Sequence, residues 1–555
     1  MMEMTGADLI VRLLERQGIE TVAGIPGGAI LPLYDALSRG TTLRHVLARH
    51  EQGAGFMAQG MARVSGRPEV CFASSGPGAT NLITAIADAK LDSIPMVVIT
   101  GQVPLSMIGT DAFQEVDTYG LTIPITKHNF LVRSAQDLLE VIPAAFRIAM
   151  SGRPGPVLVD VPKDVQNQLV SFEAYPAPAV ADPLPALDME ALGQAAAMIN
   201  EAERPVLYLG GGVIHSGAAQ QAVALAEQAG LPTTMTLMAL GAMPMDHPLS
   251  IGMLGMHGAR YTNYVLEEAD LLICVGARFD DRAIGKAAQF CPSAKIVHID
   301  IDRSELHKVK TAHVAIQSDV GAALGALLPR VKVQLRKRWL SHVASLKTRY
   351  PLQMPGLENP RSHYGLIHAV AAALDDQAVV ATDVGQHQMW VAQAYPFRRP
   401  RQWLTSGGLG TMGFGLPTAI GAALAEPART VVCFSGDGSL QMNIQELATA
   451  AEEGANVKVI LMNNSSLGLV YQQQNLFYGK RAFASKYGHA LDFVKIAEGF
   501  GIRAVDLDAS DNPRATLAEV LREPGPCLIH VSIDRDQFVY PMVPPGGANT
   551  EMIGG

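Results

Sequence analysis

The sequence predicts an α/β protein made of three doubly wound parallel sheets, and two observations predict it. Short, unbroken apolar and β-branched runs recur along the 555 residues with helical stretches between them. Hydrophobicity that runs on, rather than alternating, marks strands covered on both faces, the pattern of parallel sheets clothed by helices. The second observation is punctuation. Pro176, Pro178, Pro183 and Pro185 crowd one stretch; Arg330, Lys332, Arg336, Lys337 and Arg338, followed by Pro351, Pro355 and Pro360, mark another. Such breaks read as linkers. The expected organisation is a first unit over 1–170, a linker over 171–190, a middle unit over 191–330, a linker over 331–363, a third unit over 364–540 and a tail over 541–555. The first and third units are candidates for distant topological relatives.

In chain order, Thr5-Gly6-Ala7-Asp8 before Leu9, Ile10, Leu13 and Leu14 reads as a capping box opening an amphipathic helix. No basic segment leads into an apolar stretch there, so the chain is expected to begin folded and without an address. Val70–Ala73, Met96–Thr100 and Val157–Val161 supply strands of the first unit. Val206–Leu209, Leu271–Val275 and Ile296–Ile301 supply those of the middle unit. They end at Gly210-Gly211-Gly212, Gly276-Ala277 and Asp300-Ile301-Asp302, a crevice suited to an extended nucleotide, although no GxGxxG is present. Val379–Thr382, Val431–Phe434, Val457–Met462 and Cys527–Val531 belong to the third unit.

Composition removes several function classes. Charged residues are 17% and hydrophobic ones 48%, too apolar for disorder. A net charge of −9 with no long basic run gives a nucleic-acid surface no support. The longest charge-free stretch, Gln402 to Ala425, is long enough to span a bilayer. It holds Gly407, Gly408, Gly410, Gly413, Gly415, Gly421 and Pro417, so it reads as a backbone-rich loop leading into a helix. The five cysteines have no CxxC spacing and are expected to be buried thiols of a cytoplasmic protein.

The most informative segment is Gly436-Asp437-Gly438-Ser439, which follows one buried run, while Asn463-Asn464 ends the next. Neighbouring strand ends in an open parallel sheet face one crevice, so Asp437 and Asn464 can converge there. A carboxylate and an amide oxygen are hard ligands suited to Mg²⁺, which normally adds phosphate oxygens and water. Gly436 and Gly438 let the backbone approach a diphosphate. Either dipeptide alone is an ordinary turn. Together, with the aspartate and the second asparagine 27 residues apart, they resemble the two ends of the thiamine diphosphate motif. That resemblance implies a third metal ligand, the backbone carbonyl of Ser466. Glu51 opens a helix rich in small residues; thiamine chemistry needs a glutamate on the pyrimidine ring nitrogen, and Glu51 is the candidate. The bland alternative is an acid stabilised by a helix dipole.

Longer stretches resemble the catalytic large subunit of the acetohydroxyacid synthase (acetolactate synthase) family over nearly the whole chain. They include Gly24-Ile25-Pro26-Gly27-Gly28, Ser75-Gly76-Pro77-Gly78-Ala79-Thr80-Asn81, Gly109 to Glu115, Arg153-Pro154-Gly155-Pro156 running on to Asp164, Leu254 to Gly258, Gly276 to Arg282, Gly385 to Trp390 and Ser406 to Gly415. The resemblance implies a thiamine diphosphate-binding fold, with pyrimidine and diphosphate domains flanking a Rossmann-like middle domain. It implies condensation of pyruvate with a second pyruvate to 2-acetolactate, or with 2-oxobutyrate to 2-aceto-2-hydroxybutyrate, the first shared step toward valine, leucine and isoleucine. Thiamine diphosphate is then held by Glu51, Gln114, Gln386, His387, Gly410, Thr411, Met412, Asp437, Gly438, Ser439, Asn464, Gly468 and Leu469, and Mg²⁺ by Asp437, Asn464 and Ser466. FAD is implied against Ser93, Arg153, Gly211, Gly212, Thr236, Leu237, Leu254, Gly255, Met256, His257, Gly276, Arg278, Phe279, Asp280, Asp300, Ile301 and Asp319, in a structural role because the reaction has no net redox change.

Glu51, Gln114, Arg282 and Lys163 are the implied catalytic set, with Arg282 on the second substrate's carboxylate, a task for a guanidinium fork. Its bland alternative is an ion pair with Asp280 or Asp281. Lys127 and Lys163 match positions at a substrate-channel mouth, against which stands the plain solvated lysine. A dimer sharing each site, or a tetramer, and a small regulatory subunit are also implied. One position departs from the family: where many members carry a tryptophan, this chain has Gln473. A flexible amide in place of a flat apolar wall predicts weak preference between pyruvate and 2-oxobutyrate and reduced sensitivity to sulfonylurea-type inhibitors. The nearest rivals are a pyruvate oxidase or another 2-oxo acid enzyme on the same scaffold.

Overall fold

The computed structural model describes residues 1–554. Each apolar run identified above is a strand, and the strands form three six-stranded sheets, parallel throughout. The N-terminal sheet contains Thr21–Gly24, Arg44–Leu47, Glu69–Ala73, Met96–Gln102, His128–Leu131 and Pro156–Pro162, in the spatial order 2-1-3-4-6-5. Val379–Thr382, Trp403–Leu404, Val431–Gly436, Val457–Asn463, Arg503–Asp506 and Cys527–Ser532 repeat that order in the C-terminal sheet. The middle sheet differs. Pro205–Leu209, Thr233–Met235, Ser250–Met253, Leu271–Val275, Lys295–Asp300 and Val314–Gln317 run 3-2-1-4-5-6, the order of dinucleotide-binding sheets, whose ligands lie where the order reverses.

Central strands are buried end to end, as their unbroken hydrophobicity requires: Val157, Ile273, Val432 and Ile460 have no exposed surface. Thr5 caps the Gly6–Arg16 helix, its hydroxyl accepting from the Asp8 N–H at 3.1 Å. All five cysteines are buried and unpaired. The 331–363 stretch contains a helix, Lys337–Arg349, whose Trp339, Val343 and Leu346 pack into the middle-domain core. Residues 543–552 return to the middle domain: the Val543 N–H donates to the Met256 carbonyl at 2.9 Å, and Asn549 Nδ2 to the Ala283 carbonyl at 2.9 Å.

The first and third domains meet along two helices, Glu51–Ser65 and Gly415–Ala425, both rich in small residues. A Cβ on Gly60 would stand 2.1 Å from the Thr418 carbonyl oxygen, and one on Gly421 2.0 Å from that of Met57. Gly421 therefore serves backbone-to-backbone helix packing rather than a ligand. Among the described residues, no helix is long and apolar enough to cross a membrane.

Candidate functional site

In the C-terminal sheet, Gly436 pairs with Met462, so the chain leaves two adjacent strands at one edge. There the Asn464 N–H donates to Asp437 Oδ1 at 3.4 Å. Asn464 Oδ1 accepts from the Ser466 N–H at 3.1 Å and hydroxyl at 3.0 Å, and Asn464 Nδ2 donates to Gln386 Oε1 at 3.0 Å. Four expected residues thus form one cluster. Burial pushes the Asp437 carboxyl up to about 6. A hard divalent cation returns such a group to its charged form, and this donor set of carboxylate, amide and carbonyl oxygens suits Mg²⁺.

The glycines beside the cluster are tight. A Cβ on Gly468 would fall 2.1 Å from Gln386 Oε1, and one on Gly438 2.7 Å from Tyr487 Oη and 3.6 Å from Met412 Cε. His387 lies buried against Gly385 and Gly436. Burial pushes it down to about 3, so it is neutral, and its Nε2 has no partner among the described residues. Such a polar atom at a glycine-lined crevice fits a phosphate-bearing ligand. The Ser439 hydroxyl is spent on the Val384 carbonyl, at 2.8 Å. Leu469 follows Gly468 in the Gly468–Phe477 helix.

Two residues here escaped the sequence reading. Arg535 donates to the carbonyls of Asn464 and Ser465, at 3.3 and 3.1 Å, clamping the ligand loop. Asp383 accepts from the Gly413 N–H at 2.7 Å and the Ser435 hydroxyl at 2.9 Å, anchoring the loop that carries Gly410 to Met412. Asp383 directly follows the run Val379–Thr382, the same strand-end signal that found Asp437, and was legible. Arg535 had no signal.

The glutamate lies in the N-terminal domain. His50 caps its helix, with Nδ1 accepting from the Gln52 N–H at 3.1 Å. Asn81 Nδ2 donates to Glu51 Oε2 at 2.8 Å, and Oε1 faces Gly78, where a Cβ would stand 3.5 Å away. Gln114 sits nearby with φ of +62°, its Cα 2.9 Å from where a Cβ on Gly76 would stand. Only glycine allows that approach at a positive φ. Glu446, from the C-terminal domain, accepts from the Arg49 N–H at 3.1 Å and fixes the entry to the helix. Asn81 and Glu446 were also missed: an amide and an acid on helices carry no pattern of their own.

A cavity of about 800 Å³ opens from the switch point of the middle sheet toward the C-terminal domain. Its lining includes Ser93, Arg153, Gly211, Gly212, Thr236, Leu237, Leu254, Met256, His257, Gly276, Arg278, Asp280, Asp300, Ile301 and Asp319, and it continues to Gly410, Leu469, Gln473 and Arg282. Close backbone approach shapes it: a Cβ on Gly212 would stand 2.7 Å from Gly276 Cα. The buried Thr236 hydroxyl has no partner among the described residues, and a cavity lined by apolar side chains, glycine backbone and a few polar groups fits a dinucleotide. Two expected residues are placed elsewhere. Phe279 turns its ring into the core against Tyr208 and His298, and Gly255, with φ of +92°, lets the chain pass close to the Arg282 carbonyl.

Arg282 is exposed and only loosely paired, 3.9 Å from Asp281. Asp280 instead caps a short helix through the N–H groups of Arg282 and Ala283. Lys127 is half-buried and outside the cavity lining; its ammonium donates to the carbonyls of Ile148 and Ser151, where a helix ends, and burial pushes it down to about 8. Lys163 opens the Lys163–Asn167 helix, half-buried and outside the cavity lining. Neither this cavity nor a second of about 250 Å³ beside Asp437 is lined by Glu51 or Gln114 among the described residues.

Family models match each domain: the N-terminal TPP binding domain of thiamine pyrophosphate (thiamine diphosphate) enzymes over residues 4–121, the central domain over 192–327 and the C-terminal TPP binding domain over 383–531. The acetolactate synthase isozyme 1 large subunit of Escherichia coli is 65% identical over 99% of this chain and 98% of its own length. The chain belongs to the acetolactate synthase large-subunit family. The isozyme 2 large subunit of the same organism is 47% identical over 99% of each chain, and the chloroplastic acetolactate synthase 2 of Nicotiana tabacum 45% identical over 99% of this chain and 85% of its own. For this acetolactate synthase relative the three matches follow the three sheets in order, reaching four strands of the first, all six of the second and five of the third, and the two TPP binding domains are the two that share a strand order.

Proposed function

We propose that the chain catalyses acetolactate synthesis: decarboxylation of pyruvate and transfer of its two-carbon unit to a second pyruvate or to 2-oxobutyrate. The observation that carries this reading is the single cavity joining the flavin-sized crevice to Gly410 and Leu469 on one side and to Arg282 and Gln473 on the other. The cofactors are thiamine diphosphate, Mg²⁺ and FAD. Thiamine diphosphate supplies the carbon nucleophile and electron sink when bound. The chain supplies the rest. Asp437, Asn464 and the Ser466 carbonyl would hold the metal, which would supply positive charge for the diphosphate. Glu51, with Oε2 engaged by Asn81, offers Oε1 to a pyrimidine nitrogen and holds or returns its proton. The Arg282 guanidinium, unencumbered by a close ion pair, takes the acceptor carboxylate. Gln114, with its strained backbone, reaches the reacting groups from the glutamate side.

The glutamate side stands open: Phe113, next to Gln114, is 87% exposed. A second copy of the chain, placing its Glu51 side over this chain's Asp437 side, completes the site in a homodimer, the smallest working unit, which a tetramer would repeat. The relatives are named large subunits, which supports a small regulatory partner here. Five unpaired thiols support a cytoplasmic location. Purified protein with pyruvate, Mg²⁺, thiamine diphosphate and FAD should form acetolactate without reducing the flavin. Acetate formed with flavin reduction would instead establish a pyruvate oxidase.

A further inference from the structure

The loop 406–412 separates the two cofactor crevices. Ser406 to Gly410 line the large cavity, while Met412 faces Gly438 beside the diphosphate cluster. Its glycines give it little packing of its own, and Gly410, at φ +71°, has open space where a Cβ would be. Asp383 holds its far end at Gly413 and Gln388 the Ser406 carbonyl, and the N-terminal domain supplies the carboxylates that hold the stretch between. Asp92 accepts from the Gly407 N–H at 3.1 Å and the Gly408 N–H at 2.7 Å. Asp88 accepts from the Ser406 hydroxyl and, at 2.9 Å, from that of Thr411. Both carboxylates are fully buried and share one cation, Arg63, whose Nη2 lies 2.8 Å from Asp92 and 3.3 Å from Asp88. Two carboxylates against one guanidinium leave surplus negative charge, which the loop's four donors stabilise; a loop moved away would strand a buried charge. The same cluster touches the flavin-sized crevice, because Ser93, next to Asp92, accepts from Arg153 Nε at 2.8 Å on the cavity wall.

We propose that Asp88 and Asp92 are positioning residues that fix the 406–412 loop between the crevices, so that a dinucleotide in one tightens thiamine diphosphate binding in the other. This rests on the function proposed above. It also gives the flavin a task in a reaction without net redox change: it holds one face of the loop whose other face supports the thiamine ring. Because coupling free energies are reciprocal, thiamine diphosphate must tighten FAD by the same factor.

Calorimetric titration of the full-length protein, stripped of cofactors, tests this. In wild type, saturating FAD should lower the dissociation constant of thiamine diphosphate with Mg²⁺ by about fivefold or more, and the reverse titration should give the same factor. Asp92→Asn keeps the side-chain volume but removes one amide acceptor and the charge, and should cut that factor to about twofold or less while both cofactors still bind. Ser406→Ala, which leaves the ion cluster intact, should also reduce it and stands in should Asp92→Asn fail to fold. A purely structural cluster would lower thermal stability or both affinities and leave the factor unchanged; that result overturns the proposal. So does a wild type that binds both cofactors and makes acetolactate with no coupling, in which case the functional reading stands. A wild type that neither binds thiamine diphosphate nor forms acetolactate sinks both.

Discussion

The first and last sheets have one strand order and carry different halves of one chemistry. In the C-terminal sheet the working residues directly follow buried strands: Asp437 after Val431–Gly436, Asn464 after Val457–Asn463. Paired strands fix both backbones, so the two candidate ligands, joined by a hydrogen bond, are held in place by the sheet itself. In the N-terminal sheet, Glu51 opens a helix and Gln114 sits on a loop with positive φ. Those positions present side chains outward, to be covered by something else. Topology is thus shared, and the division of labour lies in the loops and helix starts that the strands lead into.

Substitutions on the two sides should separate chemistry from retention. The largest effect is expected from Glu51→Gln: turnover falls by roughly 10²–10⁴-fold, the range for loss of a general acid–base group, while thiamine diphosphate titrates almost as in wild type. If affinity falls and turnover at saturation survives, the halves have been assigned backwards. Asp437→Asn should do the reverse, weakening Mg²⁺-dependent cofactor binding by about 100-fold, the upper end of what even outer-shell losses cost. It carries a pH signature. Burial pushes the free Asp437 carboxyl up to about 6, and only its charged form ligates a cation, so wild-type cofactor affinity should level off well above pH 6 and fall as the pH drops through it. Asp437→Asn should lose that dependence; an unchanged pH profile would show that another group controls it.

Arg282→Ala is expected to raise the KM for the acceptor by roughly 10–100-fold, the worth of a charge-assisted carboxylate pair, with thiamine diphosphate binding unaltered. Smaller again is Gln473→Trp. Wild type should choose weakly between pyruvate and 2-oxobutyrate offered at equal concentration, and a flat apolar wall at 473 should favour the extra methylene of 2-oxobutyrate by about tenfold. Strong 2-oxobutyrate selectivity in wild type would remove Gln473 from this role. Lys127→Met should touch neither side: it loses two half-buried carbonyl partners, costs about 1–3 kcal/mol in denaturant melts and leaves kcat unchanged.

The ten interior runs legible in the sequence are central strands, because burial on both faces demands unbroken apolar residues. The strands that escaped are mostly sheet edges. Arg44–Leu47, His128–Leu131, Ser250–Met253, Val314–Gln317, Trp403–Leu404 and Arg503–Asp506 each pair on one side only. Arg503–Asp506, with both ends exposed, has no hydrophobic signature to read. Thr21–Gly24, with two apolar residues, and Thr233–Met235, with one, carry no apolar run to read.

The sequence by itself determined the three-sheet class and the meeting of Asp437 with Asn464, since both are written in local runs and in the residues that end them. Only the tertiary structure decided which distant groups support that cluster. Asn81 on Glu51, Glu446 on the entry to its helix, Asp88 and Asp92 on the glycine loop, and Arg535 on the ligand carbonyls are each tens to hundreds of positions from their partners. Periodicity reports which face a residue buries. Which polar group meets it there depends on how the helices Glu51–Ser65 and Gly415–Ala425 close upon each other, and that is settled by glycine contacts between domains that no single segment contains.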